Sequence, residues 1–177
     1  IFSTFAKGRL AYMNKDFIKL MEIFIDAELK MFKGINTPVV FIQNVLTDMI
    51  LGLKMYDVFK EYDQYIRKKY NAEPGYITMN LPALLDALNS VGIENPIICS
   101  SINKIGFRMS GGKDIYEKYL TEKTFHPIAM QVLAAGALRP NEAIEYLGKF
   151  PKIESVLFGA SSKSHIQETK ELIEHYM

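Results

Sequence analysis

The sequence predicts an α/β fold built on a parallel sheet, and three observations carry that prediction. Short β-rich runs alternate with amphipathic segments along the chain. The runs are apolar at consecutive positions, as strands covered on both faces are. Each run is followed by a loop with glycine or small polar residues. Regular alternation of this kind requires crossover connections and parallel neighbours.

The elements follow in order. A helix over about Asn14 to Lys33 opens the pattern, with Phe17, Leu20, Met21, Phe24 and Ile25 on one face. TPVVFIQ (Thr37 to Gln43) is the first strand, and Met55 to Tyr70, apolar at spacings of three and four, is the helix after it. GYITM (Gly75 to Met79) precedes a helix over Leu81 to Val91. PIICSS (Pro96 to Ser101) precedes one over Lys113 to Lys123, and PIAMQVL (Pro127 to Leu133) one over Asn141 to Phe150. ESVLFG (Glu154 to Gly159) is the last strand, before a helix over Ser164 to Tyr176.

A parallel sheet of this kind is open and doubly wound or closed as a barrel, and two features favour a parallel (β/α) barrel of the TIM-barrel type. No glycine-rich dinucleotide turn follows the first strand, where an open nucleotide-binding sheet would carry it. The strand ends, Gln43 with Asn44, Asn80, Ser100 with Ser101, Gln131 and Gly159, would converge on one rim, where barrel active sites sit. Five strands do not close an eight-stranded barrel. Residues 1–177 are therefore expected to be one α/β barrel domain or the C-terminal part of one, with about three strands supplied by an N-terminal half or a partner chain. The Ile at position 1 is read as a fragment or a processed start.

Composition excludes several function classes. A chain of 177 residues, 49% hydrophobic and 23% charged, is long enough for one substantial core and short for two. Its net charge of +1, with Lys interleaved among Glu, gives no basic field for nucleic acid. Cys99 is the single cysteine and lies in an apolar run, which leaves no internal disulfide framework or Cys-rich metal cluster and fits a reducing cytoplasm. No apolar run approaches the roughly 18 residues of a membrane span, and the opening IFSTFAKGRL lacks the order of a secretory signal. The implied partner is a small-molecule substrate, with no metal, nucleic acid or membrane.

From Gly75 onward the chain resembles the C-terminal half of the aldo-keto reductase superfamily. AMQVLAAGAL (Ala129 to Leu138) is similar to the family's seventh strand and loop, and GASSKSHIQE to its eighth strand and the following helix. GYITMNLPALLDAL and NPIICSSIN resemble the fifth and sixth strands, with Asn103 kept. The resemblance implies NADP as cofactor. Asn80 would hold the nicotinamide carboxamide, Ser100 would stand at the nicotinamide contact, and Gly159, Ser161, Ser162, Lys163, His165 and Glu168 would surround the adenosine phosphate. The chain departs from the family pattern at Ser100 (usually Gln), Met130 (usually aromatic), His165 (usually the phosphate-pairing Arg) and Thr169 (usually Asn). The family's catalytic Asp, Tyr, Lys and His belong to the first half of the barrel.

Four constellations carry chemistry in their own right. Lys104, after the third strand, is a candidate Schiff-base amine if the rim lowers its pKa, and otherwise a loop charge. Gln43, Asn44 and Asp48 offer amides and a carboxylate a turn apart beyond the first strand, suited to orienting a hydroxyl or carbonyl, unless Thr47 or Asp48 simply caps the next helix. Gly111-Gly112 makes a loop that would bring Arg108 over an anion, or serves only to connect. The Ser161 to Ser164 turn offers amides, hydroxyls and Lys163 to a phosphate, or is an ordinary cap. His126 stands at a strand start, at the wrong rim for catalysis. Three functions follow: a reductase of a small carbonyl compound, a lyase or isomerase of a phosphorylated small molecule acting through Lys104, or a non-catalytic partial barrel that binds a partner chain.

Overall fold

The α/β class is borne out by the computed structural model, which describes residues 17–177. The start of the first helix, Asn14 to Asp16, and the opening IFSTFAKGRL lie outside the described residues. Helical residues 17–29 (α1) run into a short turn, Lys30–Phe32, and then into β1 (Val39–Ile42). There follow α2 (Asn44–Gly52), α3 (Asp57–Tyr70), β2 (Glu73–Thr78), α4 (Leu81–Ser90), β3 (Ile97–Ser101), α5 (Lys113–Glu122), β4 (His126–Met130), α6 (Pro140–Leu147), β5 (Ser155–Leu157) and α7 (Lys163–Tyr176). The five strands form one all-parallel sheet in chain order, β1-β2-β3-β4-β5.

Register sorts the strand residues into two faces. Val40 and Ile42 align with Pro74 and Tyr76, Tyr76 with Ile98, Ser100 with Ala129, and Ala129 with Val156. This face meets the helices. Val40, Ile42, Tyr76, Ile98 and Ala129 share one core with Met21, Ile50, Phe59, Tyr62, Leu84, Tyr116 and Ile144, drawn from α1 to α6. Edge-to-face contacts of Tyr76 with Phe59 and Tyr62 anchor α3 to β2. The opposite face carries Val39, Phe41, Ile77, Ile97 and Ile128, all half-buried, and Leu157, 57% exposed. Both faces are apolar, as read, and among the described residues the helices pack on one of them; on the other, Cys99, Ser101 and Met130 are nevertheless buried.

The predicted elements recur within a few residues at their ends, with two differences. Asn44–Gly52 is a helix that apolar periodicity missed, because Val45, Met49 and Leu53 are exposed and only Thr47 and Ile50 are buried. Its apolar residues do not form a single stripe toward the core. Strand β4 stops at Met130, three residues before its predicted end, because Gln131 turns into the left-handed region (φ 54).

Candidate functional site

The carboxyl ends of the strands bring Asn80, Ser101, Gln131 and Gly159 to one end of the sheet, since all strands run the same way. Asp48 lies inside α2. It caps no helix, and its carboxylate reaches across to β2, accepting from the Thr78 hydroxyl at 2.5 Å and the Met79 amide at 3.1 Å. Gln43 precedes α2 with an exposed side chain, and its carbonyl accepts from Thr47 N at 3.0 Å. Asn80 caps α4, its Oδ1 accepting from Ala83 N at 3.4 Å. Together Asp48, Gly52, Tyr56 and Asn80 border a cavity of about 210 Å³.

The third strand divides its two serines. Ser101 points to the open face, where its hydroxyl donates to Gln131 Oε1 at 2.7 Å. Ser100, 1% exposed, points among the helices beside the Tyr116 phenol, away from any open space. That phenol donates to the Met79 carbonyl at 2.7 Å and accepts from Leu81 N at 3.0 Å, tying α5 to the end of β2. Burial pushes its pKa up, against the hydrogen bonds that pull it down. No local sequence pattern marks Tyr116, because its partners lie more than thirty residues away.

After β3 the chain forms a strapped loop. The Asn103 side chain donates to the Phe107 carbonyl at 2.9 Å and accepts from its amide at 2.7 Å, while Ser110 N reaches the Met79 carbonyl at 3.0 Å. Between these ties stands Arg108, in the left-handed region (φ 53), its guanidinium 5.3 Å from the Phe107 ring centre. Lys104 is turned elsewhere: its ammonium pairs with Glu142 at 2.5 Å on the surface, with about half its side chain exposed.

Arg108, Phe107, Gln131, Leu133, Phe158 and Gly159 are among the residues that line a cavity of about 390 Å³ between the β3, β4 and β5 ends. Two features mark it. Arg108, Gln131 and Ala135 on its wall have φ of 53, 54 and 58, a conformation that side chains other than glycine rarely adopt and that clusters at working sites. Gly159 lacks both usual reasons for glycine, since its φ is not positive and an added Cβ would meet nothing within 4 Å. It simply leaves the backbone open to the cavity.

Three residues beyond Gly159, Ser162 caps α7 with its hydroxyl accepting from His165 N at 3.2 Å. Ser161 contacts His165 Nδ1 at 3.2 Å, and Ser162 bonds Ser164 at 2.9 Å. Ser161, Lys163, His165 and Glu168 are all exposed. His126 stands at the opposite end of the sheet, its Nδ1 2.5 Å from Glu154 and its Nε2 2.7 Å from the Asn95 amide. A cavity of about 620 Å³ also lies at that end, beside Asp26, Pro38, Lys69 and Tyr70. Its Asp26 is engaged by Tyr65, Lys69 and Tyr70.

Among the described residues no cluster of three His, Cys, Asp or Glu side chains could hold a metal ion, and no helix is long and apolar enough to cross a membrane. Comparison with protein-family models, with curated proteins and with solved structures returned no match.

Proposed function

We propose that the chain is the C-terminal part of a (β/α) barrel of TIM-barrel type, an NADP-dependent oxidoreductase of aldo-keto reductase kind acting on a small carbonyl compound in the cytoplasm. One observation carries the reading: the cavity at the β4 and β5 ends, which joins Arg108, Gln131 and Gly159 and opens three residues before the Ser162 cap. The winding supports the barrel. A doubly wound sheet reverses its strand order and covers both faces, whereas this sheet runs in chain order with helices on one.

The residues fit NADP at three places. Ser161 and Lys163, with the first amides of α7, suit the adenosine phosphate. Arg108 and the open backbone at Gly159 suit the middle of the molecule. Gln131, held by Ser101, suits the carboxamide, whereas Asn80 borders the separate cavity beside Asp48. Ser100 has no part in this arrangement, because it is buried among the helices, and Glu168 contributes only as an exposed acceptor on α7. When bound, NADPH supplies the hydride. The chain's own groups bind and orient, and by the resemblance the proton donor belongs to the first half of the barrel.

Titrating NADPH into the protein should quench its fluorescence saturably. A flat titration at millimolar cofactor overturns the reading. The lyase alternative loses support from the Lys104–Glu142 pair, and borohydride trapping should leave Lys104 unlabelled.

A second reading, a non-catalytic partial barrel completed by another chain, is favoured by the apolar open face and by the unpaired outer edges of β1 and β5 among the described residues. It predicts no cofactor binding at all, so the same titration separates the two.

A further inference from the structure

We infer that Arg108 is the cation that holds the diphosphate of the dinucleotide. The inference rests on the cofactor reading of the cavity. Arg108 comes from the β3–α5 loop, a different part of the chain from the α7 turn, yet it lines the same cavity as Gln131 and Gly159.

Three observations converge on it. Among the described residues Arg108 is the one charged residue in the cavity wall, and it makes no ion pair with any of them. Its position is set rather than loose, since Asn103 straps Phe107 on one side and Ser110 is tied to Met79 on the other. The guanidinium lies against the Phe107 ring, which holds its planar fork beside the cavity while leaving its N–H groups free for phosphate oxygens.

Position decides which phosphate it serves. Lys163 and His165 stand on the first turn of α7 and do not line the cavity. His165 is moreover in contact with Ser161. A dinucleotide running from the Ser101–Gln131 pair to the α7 start passes the cavity with its middle, and its middle is the diphosphate. The 2′-phosphate then falls to Lys163 and the helix amides.

The test compares NADPH and NADH by fluorescence-quenching titration of the wild type, Arg108→Ala, Arg108→Lys and Lys163→Ala, with circular dichroism to verify folding. Arg108→Ala should raise Kd for both nucleotides by the same factor, about tenfold or more, because both carry the diphosphate. Arg108→Lys should recover part of the loss, and Lys163→Ala should weaken NADPH alone. Wild type that binds neither nucleotide overturns the cofactor reading and this inference with it. Wild type that binds both while Arg108→Ala does so equally well overturns the inference alone. A loss confined to NADPH in Arg108→Ala moves the guanidinium to the 2′-phosphate and also overturns the assignment.

Discussion

Asp48 commits both carboxylate oxygens to the end of β2, one to the Thr78 hydroxyl and one to the Met79 amide. Acting as a base would mean giving up at least one of these bonds, and Thr78 is fully buried. Its role is to hold the turn that presents Asn80. Asp48→Ala should therefore cost about 1–3 kcal/mol, the usual penalty for orphaning buried donors. Asp48→Asn, which keeps one acceptor, should cost less. Urea midpoints of the two variants check the order, and equal midpoints to wild type would show that the bonds contribute nothing net.

Between elements, two contacts decide how the outer helices sit. Asp26 of α1 accepts from Tyr65 at 2.6 Å, Lys69 at 2.6 Å and Tyr70, all on α3. Led by the Lys69 ammonium, these bonds lower the Asp26 pKa to about 2. A folded pKa below the unfolded carboxylate value near 4 stabilises the fold above that value, and the contribution is lost as pH falls toward about 2. Urea midpoints should accordingly fall more steeply between pH 4 and pH 2 in the wild type than in Asp26→Asn. Parallel profiles would mean that solvent screens the cluster.

At the far end of the chain, Gly148 lets α6 close against the last turn of α7. An added Cβ would stand 2.5 Å from the Tyr176 carbonyl oxygen, and backbone cannot swing aside as a side chain does. Gly148→Ala should cost about 1–3 kcal/mol by overpacking and loosen α7, which carries Lys163. Hydrogen exchange should rise along α7 while α3 and α4 stay protected. Unchanged α7 exchange would mean that the helix shifts without loss.

Across the described residues the dominant feature is the sheet face turned away from the helices. Val39, Phe41, Ile77, Ile97, Ile128 and Leu157 form it, and α1 adds exposed Leu20, Ile23 and Phe24 near the β1 edge. Half-buried apolar residues beside two sheet edges that are unpaired among the described residues mark a contact surface. Residues 1–177 alone should associate or bind a hydrophobic dye, and the outer-edge amides of β1 and β5 should exchange fast. Sedimentation as a stable monomer with cooperative unfolding would show that the face needs no cover.

Local chemistry determined the elements. Apolar spacing placed α3 to α7, consecutive apolar runs placed five strands, and the Ser161 to Ser164 turn marked the α7 start within a residue or two, because these signals act over a few residues. Helix α2 escaped, since its apolar residues point in several directions and only packing selects Thr47 and Ile50 as the buried pair. The sequence likewise brought Asn80, Ser101, Gln131 and Gly159 to one end, because parallel strands ending in polar residues must do so. It did not separate Ser100 from Ser101. Alternation puts neighbours on opposite faces, but which face meets helices depends on strand order and register. Tertiary structure alone turned Lys104 outward to Glu142, engaged Asp48 with β2 and set Arg108 beside Gly159. Those pairings join segments some thirty to fifty residues apart, and no local pattern encodes a distance that only the assembled sheet defines.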